Sequence, residues 1–111
     1  ARSNEPGYVN GGNKFNLEQW DSHYFARLKD FCKEASDRGI VVEIVFFSAN
    51  YSPSNWKNSP LNRHNNINLT EDIPYNEIHL SSHKNLIRYQ LAMVKKIVEE
   101  VNAFDNVYFE I

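Results

Sequence analysis

Two carboxylates stand inside otherwise apolar segments of this chain. Glu43 interrupts Ile40-Val41-Val42-Glu43-Ile44-Val45-Phe46-Phe47, and Glu110 interrupts Val107-Tyr108-Phe109-Glu110-Ile111. Burying an ionisable group among such neighbours is costly unless it is paired or hydrogen-bonded, so each needs a reason to be there. One reason is chemistry: two carboxyl groups across a cleft can share acid–base or glycosyl-transfer work. The other is architecture, with polar groups pointing into a barrel interior and satisfied by neighbouring strands. Glu43 lies well before the carboxyl end of its segment, which favours architecture. Glu110 lies nearer that end; architecture is still the favoured reading there, with a supporting place beside an active site as the alternative.

A second group is concentrated between Asn50 and Ser81, where Asn50, Tyr51, Asn55, Trp56, Asn58, Asn62, His64, Asn65, Asn66 and Asn68 occur. A carboxamide both donates and accepts, which suits the paired hydroxyls of a sugar. An indole face suits the C–H face of a pyranose ring. Together they point to carbohydrate binding, with Asn65 and Asn66 beside His64 as the foremost polar candidates. The alternative is structural: Asn tolerates turn geometry, and Trp56 can anchor a loop. His79 and His83 have the four-residue spacing of two metal ligands on one helix face, but no third ligand accompanies them. Phosphate-binding glycine loops and G-x-S-x-G elbows are absent from the sequence.

The elements that must position these residues follow from periodicity. Ala1 to Leu17, with Pro6-Gly7 and Gly11-Gly12, reads as loop. Asp21 is a suitable N-cap for a helix whose inner stripe is Phe25, Leu28, Cys32 and Ala35, flanked by Tyr24 and Phe31, and which Gly39 closes. The near-continuous apolar run from Ile40 to Phe47 predicts a strand buried on both faces, as in a parallel sheet. A short turn of helix around Pro53 to Lys57 is compatible with the long segment that follows. Ser81 or Ser82 can cap a second long helix with Leu86, Gln90, Met93, Val94, Ile97 and Val101 inside and Glu99 and Glu100 outside. The turn at Asn102 to Asp105 leads into a second strand ending at Ile111. Turns into the strands are short and segments after them are long. In parallel α/β folds, binding and catalysis gather at the carboxyl ends of strands. The fold class expected is α/β: two helices and two parallel strands with long strand-to-helix loops.

Composition narrows the function classes. The chain has 111 residues, is 41% hydrophobic and 14% aromatic, and carries a formal charge of −2, which argues against a general nucleic-acid binder. A single cysteine, Cys32, excludes an internal disulfide and sits on the inner helix stripe. No stretch is long and apolar enough to predict a membrane span. Two helices and two strands are few for a closed α/β domain.

The combination of Trp20 and Tyr24-Phe25-Ala26-Arg27-Leu28-Lys29-Asp30-Phe31, Arg38-Gly39-Ile40-Val41-Val42-Glu43, Trp56 with Ser59-Pro60-Leu61 and Asn65-Asn66, and Phe104-Asp105-Asn106-Val107-Tyr108-Phe109-Glu110-Ile111 resembles a cellulase-type glycoside hydrolase. It is similar to the clan A (β/α)8-barrel enzymes related to family 5, over the segment from the loop after the second barrel strand to the end of the fourth. The resemblance implies a partial TIM barrel, with residues 1–111 an incomplete segment of one catalytic domain. It implies a retaining mechanism on an oligosaccharide or polysaccharide, no metal or organic cofactor, and a secreted or periplasmic location. The family's acid/base follows the fourth strand in an Asn-Glu and its nucleophile ends the seventh. Neither catalytic residue is therefore expected within the chain, the first being expected just after Ile111. Asn4-Glu5-Pro6 spells the same tripeptide but follows no predicted strand, and Ser48-Ala49-Asn50 stands where the family often has a histidine. The substrate contacts implied are Trp56, His64, Asn65, Asn66 and Asn50, with Arg2 from the preceding loop. The 111 residues alone are expected to be inactive and to need the remainder of the barrel for a stable fold. The other class left open is a non-catalytic carbohydrate-binding or protein-interaction α/β domain.

Overall fold

The computed structural model describes residues 1–47 and 52–111, which form a mixed α/β arrangement of three α-helices and two small sheets. In chain order the elements are β1 (Arg2–Pro6), β2 (Asn13–Phe15), α1 (Ser22–Asp37), β3 (Val42–Val45), α2 (Pro53–Asn58), α3 (Lys84–Val101) and β4 (Val107–Glu110). Single 3-10 turns lie at Arg63–Asn65 and Tyr75–Glu77. Two compact units share them: one holds Ala1–Trp20 and Ala49–Leu91, the other Asp21–Ser48 and Ala92–Ile111. No helix of the described residues is long and apolar enough to cross a membrane.

In the first unit, the segment read as loop contains a hairpin: β1 pairs antiparallel with β2, Arg2 opposite Phe15 and Pro6 opposite Asn13. Apolar alternation missed it because the hairpin is held by polar groups and glycines. Ser3 Oγ donates to the Lys14 carbonyl (2.8 Å) and Asn13 Nδ2 to the Ser3 carbonyl (2.8 Å). The connection turns on Gly11 and Gly12, at φ +93° and +81°, a backbone region that side chains disfavour. Asn4-Glu5-Pro6 is therefore part of β1, with the Glu5 carboxylate 4.0 Å from Lys14 Nζ. The core of this unit is Trp56, Leu69, Ile73, Ile78, Leu86 and Tyr89, with Leu17 and Leu61 packed against it.

In the second unit, Asp21 caps α1 as its residue type predicts, accepting from the His23 and Tyr24 N–H groups at 3.0 and 3.2 Å. Those bonds, opposed by partial burial, hold its carboxyl below the usual range. Gly39, at φ +71°, ends the helix: its N–H bonds the Ser36 carbonyl and the Ile40 N–H bonds the Ala35 carbonyl, a Schellman closure. Phe25, Cys32 and Ala35 are buried, while Tyr24 and Phe31 are exposed. Strands β3 and β4 pair in parallel and in register: Val42 with Val107, Glu43 with Tyr108, Ile44 with Phe109, and Val45 with Glu110. Val42, Ile44, Val107 and Phe109 pack with Cys32 and Ala35 of α1 and Ile97 and Val101 of α3.

Three expectations are corrected here. The apolar run at residues 40–47 is buried on one face only: Ile40, Val41 and Val45 are exposed, because among the described residues helices pack on one side of the two strands only. Glu100, assigned to the outer face of its helix, is largely covered, its oxygens 2.6 Å from Lys29 Nζ and 2.5 Å from Lys96 Nζ. Hydrogen bonds from those two lysines hold its carboxyl below the usual range, burial opposing them. Helix α3 begins at Lys84, past Ser81-Ser82. An open two-stranded sheet does not by itself define a closed barrel.

Candidate functional site

The segment between β3 and α3 is organised by its asparagines. Ser52 caps α2 by accepting from the Asn55 N–H (3.3 Å), and Pro53 occupies the first turn, where its missing N–H costs nothing. That turn presents Trp56 to the core at 7% exposure, with Nε1 donating to the Ile73 carbonyl at 2.8 Å. Asn62 accepts from the His64 N–H (3.1 Å) and opens the 3-10 turn at Arg63–Asn65.

Asn65 is fully buried. Its Nδ2 donates to the carbonyls of Lys57 (2.7 Å) and Ser59 (2.9 Å), and its Oδ1 accepts from the Val9 N–H (3.3 Å). Asn66, 3% exposed, donates to the Pro60 and Asn62 carbonyls, both at 2.9 Å, and accepts from the N–H groups of Asn68 (3.0 Å) and Leu69 (2.7 Å). Both amide hydrogens and both lone pairs of Asn66 are therefore engaged. Asn68 extends the pattern, accepting from the Leu17 N–H at 2.7 Å.

These positions bear directly on the sequence-derived site. Trp56, Asn65 and Asn66 are the internal frame of the loop, their polar atoms spent on backbone. His64 is the solvent-facing member, its side chain 62% exposed and Nε2 4.0 Å from Asp72 Oδ1. Arg2 lies over the rings of Phe15 (4.0 Å) and Tyr8 (4.6 Å) and donates to the Asn13 carbonyl at 2.9 Å. Asn50 lies outside the described residues. His79 and His83 do not share a helix face: His79 sits in a turn ahead of α3, and His83 immediately precedes Lys84. The imidazole of His83 lies between Glu71 (3.7 Å) and Glu77 (3.5 Å). Among the described residues no group of three or more His, Cys, Asp or Glu side chains could hold a metal ion.

In the second unit, the two strand carboxylates come together. Alternation along β3 and β4 turns Glu43, Val45, Tyr108 and Glu110 away from the helices, onto one exposed face. A hydrogen bond to Glu43, then the charge of Glu43, then partial burial push the Glu110 carboxyl above the usual range. Partial burial raises the Tyr108 hydroxyl first, followed by its hydrogen bond to Glu43 and the charges of Glu43 and Glu110. Tyr108 was missed as a member of this group. Its signal was present: it stands two residues before Glu110, the spacing that returns a strand to the same face.

Comparison of the chain with known protein families, with curated proteins and with solved structures finds no match.

Proposed function

We propose that this chain is a segment of a retaining (β/α)8-barrel glycoside hydrolase, with β3 and β4 as consecutive barrel strands and the segment between β3 and α3 as a wall of the cleft. The reading is supported first by the sequence resemblance. The observation that carries it is the in-register parallel pair β3–β4, covered by helices on one face and open on the other, where Glu43, Val45, Tyr108 and Glu110 lie. Parallel strands are found almost only in sheets with both faces covered, and the uncovered face of β3–β4 is the one that further strands of a barrel would enclose. The chain's longest connection, from β3 to α3, leaves the carboxyl end of β3, the end on which barrel enzymes build their sites.

In this reading Trp56, Asn65 and Asn66 hold the wall rigid, and His64 is the polar group offered to a bound sugar. Arg2 stiffens the adjoining hairpin. The reaction would use two carboxyl groups about 5–5.5 Å apart, one protonating the glycosidic oxygen and the other attacking the anomeric carbon, with water releasing the glycosyl-enzyme. Neither belongs to these 111 residues. In this reading Glu43 and Glu110 lie on the face of the strand pair that further barrel strands would enclose.

The test is to express the coding sequence continued past the codon for Ile111 and assay it against soluble β-glucan, mannan and xylan. Hydrolysis by the longer polypeptide, absent from the 111-residue chain, is the expected result. His64→Ala in the longer polypeptide should raise KM and leave kcat nearly unchanged, the pattern of a lost binding contact. Hydrolysis by the 111-residue chain alone, or by neither polypeptide, would sink the reading.

A further inference from the structure

In the segment between β3 and α3, His64 faces solvent beside Asp72, their side chains 62% and 75% exposed. His64 Nε2 lies 4.0 Å from Asp72 Oδ1, and Arg63 Nε lies 3.8 Å from the same oxygen. Neither separation is a hydrogen bond. Both residues nonetheless stand on fixed backbone. The His64 N–H donates to Asn62 Oδ1 at 3.1 Å, and the next residue is the fully buried Asn65. Asp72 adjoins Ile73, a core residue whose carbonyl accepts from Trp56 Nε1 at 2.8 Å. Arg63 Nη1 reaches the Thr70 carbonyl at 3.5 Å and ties the two stretches together. The polar tips are open to solvent while the backbone that carries them is held, which is the preorganisation a binding contact needs.

The chemistry of the pair is specific. An imidazole N–H donates, whereas a carboxylate only accepts, through two oxygens. A hydroxyl oxygen about 2.8 Å from each partner spans the 4.0 Å between Nε2 and Oδ1, accepting from His64 and donating to Asp72. The second carboxylate oxygen then accepts from the adjacent hydroxyl of the same ring. An exposed ion pair at such distances contributes little to stability, so folding alone does not account for the arrangement.

We propose that His64 and Asp72 form one subsite for two adjacent hydroxyls of a neutral sugar. This deepens the glycoside hydrolase reading and rests on it for the choice of ligand. Acidic sugars are disfavoured there, because their carboxylate would meet Asp72 as a like charge.

The experiment is an amide NMR titration of the full chain with cello-, manno- and xylo-oligosaccharides and with oligogalacturonate. It is run on the unsubstituted chain and on His64→Ala and Asp72→Ala, two exposed positions at which truncation leaves the fold intact. At least one neutral oligosaccharide should give saturable shift changes at Arg63, His64, Asp72 and Ile73, and oligogalacturonate none. Either substitution should abolish the changes at the remaining residues. Absence of saturable changes there, changes that survive both substitutions, or an equal response to oligogalacturonate would overturn the subsite. Hydrolysis by the longer polypeptide without these changes overturns the subsite and leaves the enzyme reading standing. These changes without hydrolysis support the subsite and remove the enzyme reading.

Discussion

A carboxamide serves a sugar hydroxyl and a stranded backbone group equally well, and residue type alone does not distinguish the two. In the segment after β3, backbone takes the asparagines: Asn65 and Asn66 are buried and donate to carbonyls of their own loop, while Asn65 accepts from the Val9 N–H and Asn66 from those of Asn68 and Leu69. Replacing Asn65 by Ala leaves the Lys57 and Ser59 carbonyls and the Val9 N–H without their partner. An orphaned buried polar group costs about 1–3 kcal/mol, so Asn65→Ala should lower the urea midpoint clearly. His64→Ala, at an exposed position, should stay within about 0.5 kcal/mol of the unsubstituted chain. Tryptophan fluorescence reports both, because Trp56 lies in the same core. What could be read in advance was that this loop is polar in a specific way. What could not was the direction in which each amide points, since that depends on which carbonyls the turns leave unpaired.

At the scale of elements, legibility followed the strength of local signals. Helix α1 was readable from end to end because a cap, an apolar stripe and a closing glycine agree along one stretch of chain. Gly39 closes it at φ +71° with open space where a Cβ would go, so the cost of a side chain there is backbone strain and not collision. Gly39→Ala should therefore destabilise by about 1 kcal/mol, seen as a lower thermal midpoint in far-ultraviolet circular dichroism. The hairpin β1–β2 was unreadable by the same logic. Its strands are short and none of their residues is buried, and their pairing rests on bonds between Arg2–Pro6 and Asn13–Phe15 that no apolar period announces. The start of α3 fell between these cases: the two candidate caps, Ser81 and Ser82, lie ahead of the helix, which begins at Lys84.

On the scale of the molecule, two separate apolar clusters replace the single core that a chain of this length would suggest. Leu86, 1% exposed, is the best-buried aliphatic residue that α3 gives to the first of them. Leu86→Ala should cost about 2–5 kcal/mol and lower the midpoint detected by tryptophan fluorescence, since Trp20 and Trp56 both belong to that unit. The second cluster lies on one face of β3–β4 and leaves the other face, with its carboxylates, uncovered. The sequence by itself determined the helix boundaries of α1, the place and parallel order of β3 and β4, and the roles of Asp21 and Gly39, because these depend on neighbours within a turn or on the period of one element. Only the tertiary structure decided that the asparagines hold the loop, that Trp56 is core, that the apolar strands are covered on one side, and that Glu43 meets Glu110 and Tyr108. Those outcomes depend on pairings between residues far apart in the chain, and a one-residue change of strand register would have turned every one of the strand side chains to the opposite face.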